Sequence, residues 1–262
     1  MTQEHRLTGA EARTLIREGQ WLAPTAALAH GYVQANLVIL SSSLADHFEQ
    51  FCHLNPRPLP LLERIPMGSP LTRSCARGAD LRTDIPAYRV YESGVMTREI
   101  GNLLTEWHDD WCAFLLGCSF TFDALLVEAG IPVRHLEQEC NVPMYITTRS
   151  LVPHGAFSGS LVVSMRPVQE RLVQSVTALT EPLAHAHGAP VHAGSPSQLG
   201  IADLGSPDYG DAVRLNDGEV PVFWACGVTA QHVAIHSKIP WMVTHAPGHM
   251  FITDLTIEGL KS

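Results

Sequence analysis

The stretch WCAFLLGCSFTFDALLVEAG, residues 111–130, decides the fold. Trp111–Gly117 is a short apolar run closed by glycine, the pattern of a buried strand. Ser119 stands at a helix N-cap position, Gly130 ends the helical run, and Pro132 lies beyond it. A strand that turns straight into a helix leaves free backbone N–H groups and the positive end of the helix dipole over the strand end. That arrangement seats an anion. The pattern returns at VFWACGVTAQHVAIHSK, residues 222–238, where Cys226, Gly227 and Thr229 separate strand from helix, and WMVTH (241–245) is the next strand. Open α/β sheets bind ligands outside the carboxyl ends of their strands. Gly117, Cys118, Ser119, Cys226 and Thr229 are therefore candidate substrate-binding residues. Ordinary capping, or an internal duplication, explains the same echo without a ligand.

Working outward, Thr8 and Glu11 form a capping box for a helix ending near Glu18. QANLVIL (34–40), LADHFEQFCHL (44–54) and LPLLERI (59–65) read as strand, helix, strand, a right-handed parallel crossover. Strands are also expected near 87–91, 97–104, 143–148 and 160–167, with a helix in VQERLVQSVTALT. The order of elements predicts a mixed α/β fold of two subdomains. A larger layered α/β core takes residues 1–110 and 182–262, and a smaller two-layer α/β unit, 111–181, is inserted in it.

Residues 187–229 are dense in Gly and Pro, which break helices and force turns. They also carry His187, His192, Asp203, Asp208 and Asp211. A long irregular segment with apolar residues reads as an ordered loop that carries function. His187 and His192 are candidate bases near neutrality, and Asp208 or Asp211 a candidate acid if burial raises its pKa. His187, His192 and Asp203 also suit a divalent metal, so a metal-assisted lyase is a rival reading. Arg82 lies between Asp80 and Asp84, which share one face of an extended segment. Arg82, with Arg166 at a strand end, is a candidate carboxylate ligand. A solvated loop ion pair is the simpler account of Arg82.

The net charge of −9 and pI of about 5.8 argue against a nucleic-acid partner. The N-terminal MTQEHRLTG has no apolar h-region, and no apolar run approaches the roughly 18 residues of a membrane span. The six cysteines lack paired spacing, which suits free thiols in a reducing cytoplasm. Dinucleotide, Walker-A, HExxH, CxxC and GxSxG motifs are absent. The lysines are Lys238 and Lys261, so pyridoxal phosphate chemistry would rest on Lys238. An iron–sulfur dehydratase needs three converging cysteines, which the spacing does not support. The expected partner is a small molecule, with self-association left open and no cofactor required beyond a divalent metal in the rival reading.

NLVIL, NPRPLPLLE, GADLRTDIP, FLLGCSF, NVPMY, VVSMRP, HGAPVH, PDYGDAV, GEVPVFWACGVT and THAPGHM together resemble the D-glutamate cyclase family, whose bacterial members carry hydro-lyase names. The resemblance runs through almost the whole chain. It implies a two-subdomain α/β fold and loss of water, with D-glutamate closing to 5-oxo-D-proline. It supplies no agreed catalytic residues. This chain departs from the family pattern at Ala27 and at Ser74-Cys75-Ala76-Arg77. Water loss needs a carboxylate seat, a base and an acid, and the Thr229 turn is a candidate oxyanion donor. A small-acid binding protein without turnover is the reading from another class.

Overall fold

The computed structural model describes residues 7–26 and 28–260; Ala27 lies outside the described residues. In chain order the elements are α1 (Gly9–Arg17), β1 (Tyr32–Ser41), α2 (Ser42–Leu54), β2 (Leu61–Ile65), β3 (Tyr88–Glu92), β4 (Val95–Ile100), β5 (Trp111–Gly117), α3 (Phe120–Glu128), α4 (Arg134–Glu137), β6 (Met144–Ser150), β7 (Ser160–Gln169), α5 (Val173–Thr180), β8 (His192–Ala193), β9 (Glu219–Ala225), α6 (Thr229–His236), β10 (Trp241–His245) and β11 (Phe251–Thr256). The capping box is formed. The Thr8 hydroxyl accepts the Glu11 N–H at 3.2 Å, and the Glu11 carboxylate accepts the Thr8 N–H at 2.8 Å.

The strands build two sheets. The larger runs β2-β5-β1-β10-β3-β4 with β11 also paired to β1, and the smaller runs β6-β7-β9-β8. Every paired neighbour is antiparallel. β1 and β2 both oppose β5, so they are parallel to each other. The strand–helix–strand crossover is therefore real, but β5 is threaded between its two strands.

Period-two alternation sorts the core. Leu37 and Ile39 of β1, with Ala113 and Leu115 of β5, face a core closed by Cys75, Leu81 and Ile85 of the loop before β3. Within that loop the Glu63 carboxylate accepts the N–H groups of Arg73, Ser74 and Cys75, which fixes the Ser74–Arg77 departure in place. Val38, Leu40, Phe114 and Leu116 face the other way. They meet Phe48 and Phe51 of α2, Val233 of α6, and Val163, Met165, Phe223 and Ala225 of the smaller sheet. Each such fully buried side chain contributes about 1.5–3 kcal/mol. The outer face of the smaller sheet, Val168, Val222 and Trp224, packs on Phe122 and Leu126 of α3 and Val176 of α5.

The result is a mixed α/β structure around two sheets, but the chain does not divide at 111 and 181. β5, expected in the inserted unit, lies inside the larger sheet. β9, expected in the main core, pairs with β7 from Gln169↔Glu219 to Val163↔Ala225. Both strands are buried on both faces, so their apolar character specifies depth and not which sheet they join. β11 escapes a reading by hydrophobicity because Thr253 and Asp254 interrupt it. Among the described residues no helix is long and apolar enough to cross a membrane. All six cysteines are free.

Candidate active site

The carboxyl ends of β5 and β9 arrive at one place from different sheets. Cys118 and Cys226 belong to a single buried cluster with Phe120, Met144, Val228 and Met250. Between them lies a cavity of about 20 Å³, lined also by Asn36, Ser119, Asn141, His245 and Gly248. That is room for about one water-sized group. Asn36 of β1 holds the two turns together. Its Nδ2 donates to the Gly117 carbonyl at 2.7 Å, and Gly227 lies so close that an added Cβ would sit 2.0 Å from the same nitrogen. Gly117 is equally constrained, because a Cβ there would fall 1.5 Å from the His185 carbonyl oxygen. These glycines are needed for close approach and not for a special φ.

Burial dominates the electrostatics of the cavity. It pushes the Cys226 thiol up to about 11, against the pull of the Val228 and Gly227 N–H groups. It raises Cys118 further, with the neighbouring Cys226 adding to the shift and the Phe120 N–H opposing it. His245 is 2% exposed, and burial lowers its pKa to about 3. Its Nδ1 accepts the Leu37 N–H at 3.1 Å, which places the ring proton on Nε2. That nitrogen has no hydrogen-bond partner among the described residues. His245 thus offers the cavity a neutral donor whose tautomer is set by the β1 backbone.

Behind the α3 turn sits a buried ionic clamp. Arg166 reaches Asp123 through Nε to Oδ1 at 2.6 Å and Nη2 to Oδ2 at 3.0 Å, Ser164 Oγ at 3.1 Å, and Ser119 Oγ at 3.3 Å. His135 Nε2 lies 3.2 Å from Asp123 Oδ2. The guanidinium also rides over Phe122 and Trp224. Burial pushes the Asp123 carboxyl up, but Arg166 and His135 pull it down to about 2. Arg166 is therefore committed to the protein and is not an open substrate ligand. Ser119 likewise gives its hydroxyl to this clamp and makes no side-chain cap for α3. Thr229 lies inside α6, where its hydroxyl donates to the Cys226 carbonyl at 2.6 Å and accepts the Val162 N–H at 3.1 Å. It bridges β9 to β7 and has no hydrogen left for an oxyanion.

The family model described as D-glutamate cyclase matches residues 112–254. A Thermoanaerobacter protein named as a hydro-lyase is 54% identical over 97% of this chain and 96% of its own length. A Rubrobacter xylanophilus protein printed as "Putative hydro-lyase" is 55% identical over 94% of this chain and 95% of its own. The Bacillus subtilis protein printed as "Putative hydro-lyase YcsI" is 50% identical over 95% and 97%. The chain belongs to the D-glutamate cyclase family. The region matching the cyclase model contains Cys118, Asp123, Arg166, Cys226 and His245, while Asn36 precedes it.

The polar loop that looked like a source of catalytic groups does other work in this cyclase-family chain. Asp208 accepts the Ile146 N–H at 2.8 Å, and Asp211 accepts the Asn141 N–H at 2.9 Å. Tyr209 bridges Met144 and packs on the cysteine cluster. Residues 208–211 are thus a strap fastened along the 141–146 segment, with both carboxylates occupied by backbone. Asp203 accepts the Gly205 N–H and the Ser206 hydroxyl in an exposed turn. His192 stacks on Phe223 and donates to the Ser195 carbonyl at 2.8 Å. His187 donates from Nδ1 to the Arg57 carbonyl at 2.7 Å. Burial lowers its pKa to about 4, so the ring is neutral at pH 7, with no hydrogen-bond partner for its buried Nε2 among the described residues. It lines a separate cleft of about 570 Å³ with Arg57, Pro60 and His185. That cleft is larger and is also lined by the Cys52 thiol, but the β5 and β9 turns do not converge on it.

His187, His192 and Asp203 do not gather, and no group of three or more His, Cys, Asp or Glu able to hold a metal occurs among the described residues. Arg82 is bound by Asp80, Nε to Oδ1 at 3.0 Å and Nη2 to Oδ2 at 2.7 Å. Residues 81–86 turn instead of extending, so Asp84 swings inward and takes Arg17 at 0% exposure. Asp80 alone therefore orients Arg82, and Asp84, expected on the same face, is spent on Arg17. Asn36, Asn141 and His245 were missed. The signal for His245 was its place at the end of a buried strand before Pro-Gly.

Proposed function

We propose that this chain is a hydro-lyase acting on a small carboxylate or amino acid, with closure of D-glutamate to 5-oxo-D-proline as the reference reaction. The observation that carries the reading is the meeting of two strand–turn–helix ends on one cavity with a neutral, buried imidazole N–H. The N–H groups of Thr121, Phe122, Thr229 and Ala230 donate to the Cys118, Ser119, Cys226 and Gly227 carbonyls, so the ends of α3 and α6 favour an anion through their dipoles alone. In the cyclisation the amine nitrogen attacks the side-chain carboxyl carbon. The C–N bond forms, one C–O bond breaks, and the departing oxygen leaves as water with two protons that began on the ammonium. Charge develops on the carboxyl oxygens as the tetrahedral centre forms. His245 Nε2–H donates to that oxygen without having to ionise, the role of a fixed oxyanion donor. Cys118 and Cys226 are protonated thiols within the same cavity and relay protons to the leaving oxygen. In this reading the carboxylates of the 208–211 strap hold backbone N–H groups and take no part in the chemistry.

A thermal-shift screen of D- and L-glutamate, 5-oxoproline and hydroxy acids identifies the ligand by stabilisation. NMR of the same mixtures then follows loss of water. His245→Gln keeps a donor and retains part of the turnover, whereas His245→Leu loses about 100-fold or more, the scale for one oxyanion donor. Stabilisation without turnover by any acid assigns the protein to binding instead.

A further inference from the structure

We propose that Arg89 is the substrate's anchor: its guanidinium fork holds the carboxylate that does not react, while an oxygen of the reacting one enters the cavity beside His245. This rests on the reading above that the cavity receives the oxygen that leaves as water. The cavity has room for about one water-sized group. The body of a substrate therefore lies outside it and needs an anchor of its own. The chain carries a net charge of −9, so an anionic substrate must be drawn in by a local cation. Arg166 and Arg82 are committed to Asp123 and Asp80.

β3 and β10 are antiparallel, with Tyr88 opposite His245 and Arg89 opposite Thr244. Directly opposed Cα atoms lie about 5 Å apart, so Arg89 starts one residue from the imidazole that lines the cavity. Alternation sets its direction. Tyr88 and Val90 face the core closed by Leu81 and Ile85. Tyr91 faces α6 and the smaller sheet, and Arg89 shares that face. Polar groups gather there. Gln231 of α6 is 0% exposed; its Nε2 donates to the His245 carbonyl at 3.1 Å, and the Thr244 hydroxyl donates to the same oxygen at 2.9 Å. The Tyr91 hydroxyl donates to Gln231 Oε1 at 3.4 Å. Burial raises the Tyr91 and Tyr209 hydroxyls and lowers His245. The charge of Arg89 opposes the first two shifts and adds to the third, so its field reaches all three groups. Tyr209 in turn packs on the cysteine cluster. Arg89 Nε donates to Glu99 of the facing strand β4 at 2.9 Å. Neither terminal nitrogen is hydrogen-bonded to a carboxylate among the described residues, and the side chain stays 28% exposed. An arginine held through Nε presents its outer edge for two parallel bonds to a carboxylate.

The test titrates the full chain by calorimetry with D- and L-glutamate and with the matching isoglutamines, whose α-carboxylate is an amide. Wild type should bind one glutamate enantiomer at least about 10-fold more tightly than its isoglutamine, the scale of a charge-assisted hydrogen bond. Arg89→Gln should weaken that glutamate by about 10-fold or more and leave the isoglutamine within about twofold, so the preference disappears. Arg89→Lys keeps the charge without the fork and should recover part of it. Arg98→Gln breaks other ion pairs of the same hairpin and should keep the preference whole. Melting curves establish that the variants fold. A wild type that binds an isoglutamine as tightly as its glutamate overturns the anchor, as does the same preference in wild type and Arg89→Gln; either result leaves the cavity reading standing. Loss of the preference in Arg98→Gln as well reduces Arg89 to a support of the hairpin. Failure of all four probes to bind wild type removes the anchor and the cavity reading together.

Discussion

After β5, the turn is braced by charge: Ser119 hands its hydroxyl to Arg166, which grips Asp123, which in turn meets His135. After β9, the matching turn is braced by neutral bonds alone: the Thr229 hydroxyl spans the Cys226 carbonyl and the Val162 N–H. Both present a cysteine to the same cavity. Similar local sequence therefore does not imply similar support. The charged brace is costly to bury and fails badly when one member is lost, while the neutral one degrades one bond at a time.

The largest effect is expected on the charged side. Arg166→Ala leaves Asp123 buried without its guanidinium, and urea unfolding should record a loss of about 3–5 kcal/mol. A loss below about 1 kcal/mol would erase the contrast between the turns. Next comes acid. His187 lies behind the β5 turn with a folded pKa of about 4 against 6.5 when unfolded. A lowered histidine contributes stability that is full above pH 6.5, falls as pH drops, and is gone near pH 4, roughly 3 kcal/mol in all. Asp123, held at about 2, extends the decline below pH 4 as it is protonated. His187→Asn should flatten melting temperature between pH 6.5 and 4, whereas a Thr229 variant keeps the wild-type slope.

On the neutral side, Gly227→Ala drives a methyl into the Asn36 amide and should cost about 1–3 kcal/mol, the range for overpacking. The cavity should distort with it, visible as faster alkylation of Cys226. Thr229→Val keeps the shape and removes the bridge, for about 1 kcal/mol; a value near that of Arg166→Ala would show that the two braces are equivalent. Arg82→Lys sets the floor. It alters an exposed-side pair with Asp80 and should shift stability by roughly 0–1 kcal/mol without touching ligand affinity.

Much of the fold could be read in the chain because buried runs such as Trp111–Gly117 and Trp241–His245 show their depth in composition. The convergence of Cys118 and Cys226 was also legible, as a repeated strand–turn–helix. What could not be read was partnership. Asp208 and Asp211 look like catalytic acids until the backbone N–H groups of Ile146 and Asn141 are seen to occupy them. Arg166 looks like an anion ligand until Asp123, distant in sequence, fills its fork. Asn36 is one polar residue inside an apolar strand, and its role depends on two turns that follow far downstream.

The threading of β5 between β1 and β2 bears on how the protein is made. Every strand that pairs with β1, namely β5, β10 and β11, is synthesised after it, and β2 has β5 as its partner. When residues 1–110 have left the ribosome, the β3–β4 hairpin is, among the described residues, the only pairing in the finished sheets that they can complete. The nascent chain must therefore carry β1 and β2 as unpaired apolar strands, which are aggregation hazards, until later segments arrive. A truncation near residue 110 should yield no folded module, and slow translation through that point is where a holdase chaperone would matter.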